Sequence, residues 1–187
     1  DMADYAVLRL GYALEQQQKL DSAANRYREL LRKYPDSEHV RTAALSLGQI
    51  LYRQGDNAAA IESFEQVLAS KDEQAASAAH WLAVTLMKEN KIAEAEKILA
   101  SALHWAGNTS NAATLRLDYA DALYADPAKL SEARKAYEKV ASEYADSPLA
   151  PRAAYNAAFG ALQEGDYRLA RNWAETFLSK YPNDALR

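Results

Sequence analysis

The strongest constraint on this sequence is a helix-pair pattern that recurs along its whole length. The clearest copy lies around the stretch Leu47 to Ala69. Its first half places small or apolar residues at the spacing of one helix face, at Ala44, Leu47, Gly48 and Leu51. Gly55-Asp56 predicts a turn, because glycine tolerates left-handed backbone and aspartate caps a following helix. A second helix is predicted from Ala59 to Ala69, with a stripe at Ala60, Ile61, Phe64, Val67 and Leu68.

Gly48 indicates how the two helices meet. A glycine inside a helix costs about 1 kcal/mol relative to alanine, so its presence predicts a second helix that crosses very close to it. Helices this short are marginal in water on their own, and each has an apolar face to bury. One pair leaves a face open that a neighbouring pair can cover.

The pair recurs five times. Its small first-helix residue recurs at steps of 37, 35, 37 and 38 residues, as Gly11, Gly48, Ala83, Ala120 and Ala158. A small second-helix residue recurs as Ala23, Ala60, Ala95, Ala133 and Ala170. A large residue follows four places on as Tyr27, Phe64, Leu99 and Tyr137, and in the fifth copy Ala174 has Trp173 beside it to supply the bulk. Five copies in register predict a tandem-repeat fold.

The pattern resembles the tetratricopeptide repeat. Pro35 and Pro182 match the proline that closes the second helix in that family, and Gly165-Asp166-Tyr167 matches its inter-helix turn. The resemblance implies an all-α, right-handed α-solenoid of about five helix-turn-helix repeats, with about ten antiparallel helices. The repeats are predicted at about 4–37, 38–72, 73–106, 111–147 and 148–182. We expect one domain over residues 1–187, as a fragment of a longer protein.

A narrower resemblance lies in the linkers. Tyr34-Pro35-Asp36-Ser37 has two variants, Tyr144 to Ser147 and Tyr181 to Asp184. A helix that ends in Tyr-Pro, followed by Asp-Ser as a cap, is a stop-and-start signal. These linkers are similar to those of bacterial envelope repeat proteins, notably outer-membrane-assembly lipoproteins and the Tol-Pal-associated periplasmic protein. They favour the bacterial periplasm or cell envelope over the cytoplasm, although cytoplasmic repeat proteins share them.

Composition argues against several classes of partner. The formal net charge is −4, with 22 basic and 26 acidic residues interspersed and no basic run, so nucleic acid is not an expected partner. The chain has no cysteine, which excludes disulfides and cysteine-ligated metal. No stretch approaches 18 consecutive apolar residues, so we expect no direct insertion into a membrane.

The sequence predicts no enzyme, no cofactor and no metal site. The six glycines are too scattered for a phosphate-binding loop. His39, His80 and His104 lack the spacing of metal ligands. The acidic pairs Glu94-Glu96 and Asp118-Asp121 are predicted to lie mostly on a solvated face.

The resemblance implies that the first helices line a concave groove for a protein or peptide partner, alone or within a multiprotein complex. The candidate groove residues are Tyr5, Leu8, Tyr12, Gln49, Tyr52, His80, Val84, Met87, Asp121, Tyr124, Arg152, Tyr155 and Phe159. Further candidates are Glu15, Leu45, Lys88, Leu117 and Leu162. Some of these side chains could instead pack between neighbouring first helices.

The charged groove that grips a chaperone's carboxyl terminus in one class of the family is absent, because Leu8, Tyr12, Leu45 and Gln49 occupy its places. We therefore predict an extended or helical peptide with apolar anchors.

Two alternatives stay open. The last helix carries Trp173, Phe177, Leu178 and Tyr181, which is more apolar surface than one neighbour covers, so the chain could self-associate through its terminal helices. It could also be a helical accessory domain of a cell-wall enzyme.

Overall fold

The computed structural model describes residues 2–185 and contains ten α-helices there, with no strand within that range. The all-α repeat fold predicted from the sequence is confirmed. The helices are α1 (Met2–Gln16), α2 (Leu20–Lys33), α3 (Val40–Gln54), α4 (Asn57–Glu65), α5 (Glu73–Lys88), α6 (Ile92–Leu103), α7 (Ala112–Tyr124), α8 (Leu130–Glu143), α9 (Ala150–Gln163) and α10 (Tyr167–Lys180).

The chain divides into two compact units. The first ends at Glu89 and the second begins at Asn90. In the first unit α1 to α4 each pack on the next helix, and in the second unit α6 to α9 do the same. Odd-numbered helices are the first helices of the repeats, and even-numbered helices are the second. The sequence prediction of one continuous domain stays a prediction.

Turn chemistry explains where several helices begin. The Asp56 and Asp166 side chains accept hydrogen bonds from the amides of Ala59 and Leu169, at 3.3 and 2.9 Å, and so cap α4 and α10. The preceding Gly55 and Gly165 have φ values of +83° and +77°, a left-handed conformation in which glycine carries no steric cost. The sequence therefore identified both turns correctly.

Two helix boundaries differ from the prediction. Helix α1 spans Met2–Gln16, so it begins two residues before the predicted start of the first repeat at about residue 4. Helix α4 ends at Glu65, where a continuation to Ala69 was predicted. The chain tightens there, with the Val67 amide bonded to the Phe64 carbonyl at 3.0 Å, and passes through a 3₁₀ turn at Leu68–Ser70. This tightening brings the chain to Asp72, whose side chain caps α5.

The small and large residues that define the repeat form the core. Ala23, Ala60, Ala95 and Ala133 are fully buried, and Tyr27, Phe64, Leu99 and Tyr137 are buried beside them. The close crossing predicted at Gly48 is confirmed. A Cβ atom added to Gly48 would lie 2.5 Å from Phe64 Cε1, and one added to Gly11 would lie 2.6 Å from Tyr27 Cε1. The ring occupies the space that the missing side chain leaves.

The fifth repeat fills this space differently. Ala174 occupies the large-residue position, as the sequence shows. Phe177, one turn further along α10, is buried in the core of the second unit, and Trp173 is half-buried against the same core. The Trp173 indole N–H donates to Glu138 Oε1 at 3.0 Å. Phe177 and Trp173 therefore fill together the space that the sequence analysis assigned to Trp173 alone.

Candidate functional site

The first helices of the second unit form a pocket between them. Helix α7 contributes Asp121 and Tyr124, and helix α9 contributes Arg152, Tyr155, Asn156 and Phe159. Tyr137 of α8 also lines the pocket. The cavity has a volume of about 360 Å³. These residues come from positions at most one repeat apart, so the repeat packing itself brings them together.

A polar cluster lies inside this pocket. The Tyr137 hydroxyl donates to Asp121 Oδ1 at 2.6 Å, and Arg152 Nη2 donates to Asp121 Oδ2 at 2.6 Å. Burial raises the pKa of Asp121 above its usual value, although Tyr137 and Arg152 oppose this effect. Burial and the neighbouring Asp121 also raise the pKa of Tyr137. Both carboxylate oxygens are thus engaged by the pocket's own side chains.

This cluster corrects one sequence prediction. Asp118 and Asp121 were expected on a solvated face, but Asp118 is only 7% exposed and Asp121 is half-buried. The reason is that α7 packs against α6 on one side and α8 on the other. Leu117, proposed above as a groove residue, is likewise buried in the core of this unit.

Aromatic side chains surround the polar cluster. Tyr124, Tyr155 and Phe159 are 39%, 44% and 42% exposed, and together they form an exposed aromatic patch. The Tyr155 ring also packs edge-on against Phe177, with centroids 6.2 Å apart. The cluster and its rim together give a surface with fixed polar groups and exposed apolar anchors, the composition of binding pockets in general.

The first helices of the first unit carry a different set of aromatic residues. Tyr52 and Trp81 pack edge-on with ring centroids 5.5 Å apart, and Lys88 Nζ lies 4.6 Å from the centroid of the Tyr52 ring. On α1, Arg9 lies between the exposed rings of Tyr5 and Tyr12, at 5.9 and 5.8 Å from their centroids. Here the aromatic residues largely contact one another or a cation.

The structure places all thirteen predicted groove residues on first helices. The exposed ones are Tyr5, Tyr12, Tyr124, Arg152, Tyr155 and Phe159, and the half-buried ones are Leu8, Gln49, Tyr52, His80, Val84, Met87 and Asp121. The pocket in the second unit contains five of the seven residues predicted for its two first helices, and it lacks Leu117 and Leu162. Sequence reasoning missed Tyr137 and Asn156. The hydroxyl at the large-residue position was the available signal for Tyr137, since Phe64 lacks it.

Two absences are restricted to the part of the chain that the structure describes. Within residues 2–185, no group of three or more histidine, aspartate or glutamate side chains is arranged to hold a metal ion. Over the same range, no helix combines the length and the apolar character that crossing a membrane requires.

Sequence comparison now decides the family. Residues 8–75 match one model of the tetratricopeptide repeat, and residues 51–119 match a second. Together the two matches span more than half of the chain. The chain is a tetratricopeptide repeat protein. No curated protein matches the sequence.

Solved structures of tetratricopeptide repeat proteins share this fold. YrrB, described as having an unusual peptide-binding site, is 19% identical with a TM-score of 0.72, over 96% of this chain and 87% of that one. The MamA protein is 21% identical with a TM-score of 0.79, over 98% and 94% of the two chains. A tetratricopeptide repeat protein from Parabacteroides merdae is 17% identical with a TM-score of 0.80, over 98% and 69%.

These identities establish the fold alone. The role follows more broadly from the family, because tetratricopeptide repeat proteins are generally non-enzymatic scaffolds that mediate protein–protein interaction. The repeats therefore support a protein-interaction scaffold for this tetratricopeptide repeat protein.

Proposed function

We propose that this tetratricopeptide repeat protein is a non-enzymatic scaffold that binds an extended or helical peptide on its first-helix faces. The observation that carries the proposal is the pocket of the second unit, where exposed aromatic residues surround the Asp121–Arg152 pair. Aromatic side chains and arginine are the residues that most often supply binding energy in protein interfaces.

The rim favours apolar anchors on the partner. Tyr124 and Phe159 stand on neighbouring first helices and leave two-fifths of their surface exposed. An apolar side chain inserted between them would bury ring surface on both sides at little cost in side-chain entropy. Two such anchors on one helical turn or on alternate residues of a strand suit the spacing of a peptide.

Arg152 supplies the polar part of recognition. One of its guanidinium nitrogens bonds to Asp121, and its side chain is half-exposed. A guanidinium group has five N–H donors, so donors remain for a peptide carbonyl or carboxylate. Asp121 is already bonded to Tyr137 and Arg152, so it holds Arg152 in place. The pocket therefore favours a partner that brings acceptors beside its apolar anchors.

The test is a peptide-display selection on the immobilised chain, followed by titration of the selected peptides against variants. Tyr124→Ala combined with Phe159→Ala should weaken binding at least about tenfold, which corresponds to about 1.4 kcal/mol. Tyr167→Ala is the matched control, because Tyr167 is a strongly exposed aromatic residue on α10 outside this pocket. Tyr52→Ala tests the face of the first unit separately.

Circular dichroism should show unchanged helix content in every variant. Equal affinity of the wild type and the Tyr124→Ala/Phe159→Ala variant would reject the pocket. A loss with Tyr167→Ala alone would move the site to the face of α10.

A further inference from the structure

A second groove of this unit is formed by α6, α7 and α8, three helices in the interior of the chain. Leu103 at the end of α6, Tyr119 and Leu123 of α7, and Ala136 of α8 supply its apolar lining. Its volume is about 310 Å³, at the lower end of the roughly 300–1,000 Å³ of ligand pockets. Its lining residues differ from those of the pocket of the second unit, so the two surfaces are separate. We call this surface the α6–α8 groove.

Two helix stripes form the walls of the groove. On each of α7 and α8 the lining residues recur at steps of three or four positions, so each set shares one helix face. Leu123 is buried and Tyr119 and Ala136 are half-buried, whereas the charged α8 residues are exposed. The groove therefore has an apolar floor and a charged rim. The two sets are Arg116, Tyr119 and Leu123 on α7, and Glu132, Lys135, Ala136 and Lys139 on α8.

The next repeat shows what fills the corresponding space. Ala136 and Trp173 are equivalent, because each stands three residues after the small second-helix residue, Ala133 or Ala170. Trp173 reaches from α10 back to α8, where its indole N–H donates to Glu138 Oε1 at 3.0 Å and its ring packs against the core of the unit. Ala136 has no side chain beyond Cβ that could reach from α8 to α6 in the same way. The groove is therefore a space that a large side chain fills one repeat later.

The rim of the groove carries cations that have room for a partner's carboxylates. Lys135 and Lys139 are exposed one turn apart on α8, and neither forms an ion pair with a side chain that the structure describes. Two like charges at this spacing repel each other. Arg116 adds a third cation, and its Nε donates to the Tyr144 hydroxyl at 2.9 Å, which holds the guanidinium in place.

Carboxylates offset only part of this charge. Glu132 also lines the groove, and Glu143 Oε2 lies 3.9 Å from Arg116 Nη1. Three cations and two carboxylates leave the rim positive, although the formal net charge of the chain is −4. A general attraction of the chain for anions is therefore not expected, and the positive charge is local to the groove.

We propose that the α6–α8 groove binds an acidic segment of a partner protein, which inserts one large apolar side chain beside Ala136 and places carboxylates on Lys135 and Lys139. The apolar floor selects the inserted side chain, and the rim selects its acidic neighbours by charge complementarity. A carboxylate between the two lysines also relieves their mutual repulsion. A nucleic acid is disfavoured, because its charge extends beyond the groove to a chain of net charge −4.

The first experiment measures binding of labelled synthetic peptides by fluorescence anisotropy. The acidic probes carry a central leucine or phenylalanine flanked by aspartate and glutamate. One control probe has serine in place of the apolar residue, and another has lysine in place of the acidic residues. The wild type should bind the acidic probes most tightly, and their affinity should fall as salt is added. Equal binding of the serine probe would indicate a general anion-binding surface and overturn the proposal, as would acidic probes that do not bind.

Charge reversal tests the rim. Lys135→Glu combined with Lys139→Glu should weaken binding of the acidic probes at least about tenfold and create binding of the lysine probe. A folding defect cannot produce this exchange of preference. Lys97→Glu combined with Lys180→Glu is the matched control, because it changes the net charge equally at two exposed lysines outside the groove. Equal losses in the two double variants would show that net charge alone governs binding and overturn the proposal.

Filling the groove tests the floor. Ala136→Trp gives α8 the side chain that α10 carries at the equivalent position, and it should weaken binding of the acidic probes at least about tenfold. Ser131→Trp is the matched control, because Ser131 is exposed on the same helix and outside the groove. Circular dichroism checks that both variants keep their helix content. A folded Ala136→Trp variant that binds like the wild type would contradict the proposal.

A variant of the other pocket keeps the two proposals separable. Tyr124→Ala combined with Phe159→Ala alters the pocket of the second unit and leaves every lining residue of the α6–α8 groove in place. It should bind the acidic probes as the wild type does. Loss of that binding would assign the probes to the pocket of the second unit and overturn the groove as their site.

Discussion

The two units close the space between their paired helices in different ways. In the first unit the rings of Tyr27 and Phe64 lie directly on Gly11 and Gly48, where even a methyl group would clash. In the second unit the small residue is Ala120, and the ring of Tyr137 meets Asp121 through its hydroxyl. The Tyr27 hydroxyl of the first unit also bonds to a carboxylate, Glu15 Oε2 at 3.1 Å, so the units differ in the small residue that faces the ring, glycine or alanine.

The ion pairs of the two units also differ in how deeply they are buried. In the first unit Arg41 pairs with Asp72 at 2.6 Å, and both side chains are more than a third exposed. In the second unit Arg134 is buried between Glu138 and Glu164. Helix-pair repeats thus fix the backbone spacing and leave each unit free to fill it with apolar or polar groups. The second unit, which buries the Arg134 side chain between two glutamates, is also the unit with the candidate pocket.

The largest effect should come from removing a ring of the first unit. Phe64→Ala deletes a fully buried ring and should lower the free energy of unfolding by about 3–5 kcal/mol. Urea unfolding followed by circular dichroism measures it. A loss below about 1 kcal/mol would mean that the helices collapse into the space, and that the ring does not set their distance.

Removing the buried Arg134 of the second unit should destabilise the protein more than removing the exposed Arg41 of the first unit. Arg134→Ala removes the cation shared by Glu138 and Glu164, and we expect a loss of about 2 kcal/mol in the free energy of unfolding. This is below the usual range for buried pairs, because both glutamates reach water and Trp173 still bonds to Glu138. Arg41→Ala should cost at most about 1 kcal/mol. Equal losses in urea unfolding would remove the contrast between the units.

Replacing Gly48 by alanine should have a smaller effect on stability. The change should be destabilising, although alanine normally favours a helix over glycine. Gly48→Ala should be stabilising by about 1 kcal/mol from helix propensity alone, but overpacking against Phe64 costs about 1–3 kcal/mol. We therefore expect net destabilisation, measured as a lower midpoint of urea unfolding. Gly107→Ala is the control, because a Cβ atom there meets nothing within 4 Å. A stabilised Gly48→Ala variant would show that Phe64 moves aside freely.

The smallest effect concerns the acid stability of the first unit. Burial raises the pKa of Asp72, but hydrogen bonds from the Ala75 amide, Arg41 and Ser70 outweigh it and lower the pKa from 3.8 to about 2. A pKa lowered by folding stabilises the protein above the unfolded value of 3.8, and this stabilisation is lost as the pH falls through about 2.

Asp72→Asn removes this titration while keeping a side chain that can cap a helix. The wild type should therefore be the more stable of the two at pH 5, by less than about 1 kcal/mol because the pair is exposed, and the difference should disappear near pH 2. A difference that is independent of pH would show that the carboxylate's charge contributes nothing.

Much of this protein could be predicted from the sequence alone. The five copies, the ten helices, the glycine turns at Gly55 and Gly165, and the close approach at Gly48 all follow from local spacing and the conformational preferences of single residues. Those preferences act within a few residues, so they can be recognised in the sequence without knowledge of the fold. The first-helix positions of the groove candidates followed from the same register.

Only the tertiary structure decided which of those candidates form a pocket. Tyr137, Asp121 and Arg152 are separated by 16 and 31 residues, and their contact depends on how α7, α8 and α9 pack. The burial of Asp118 and Leu117 depends on the same packing, since a helix enclosed on both sides hides a face that its own sequence leaves polar. The sequence showed that α10 carries an excess of apolar residues. Only the structure showed that Leu178 on α10 is 48% exposed, whereas the equivalent Ala141 on α8 is buried.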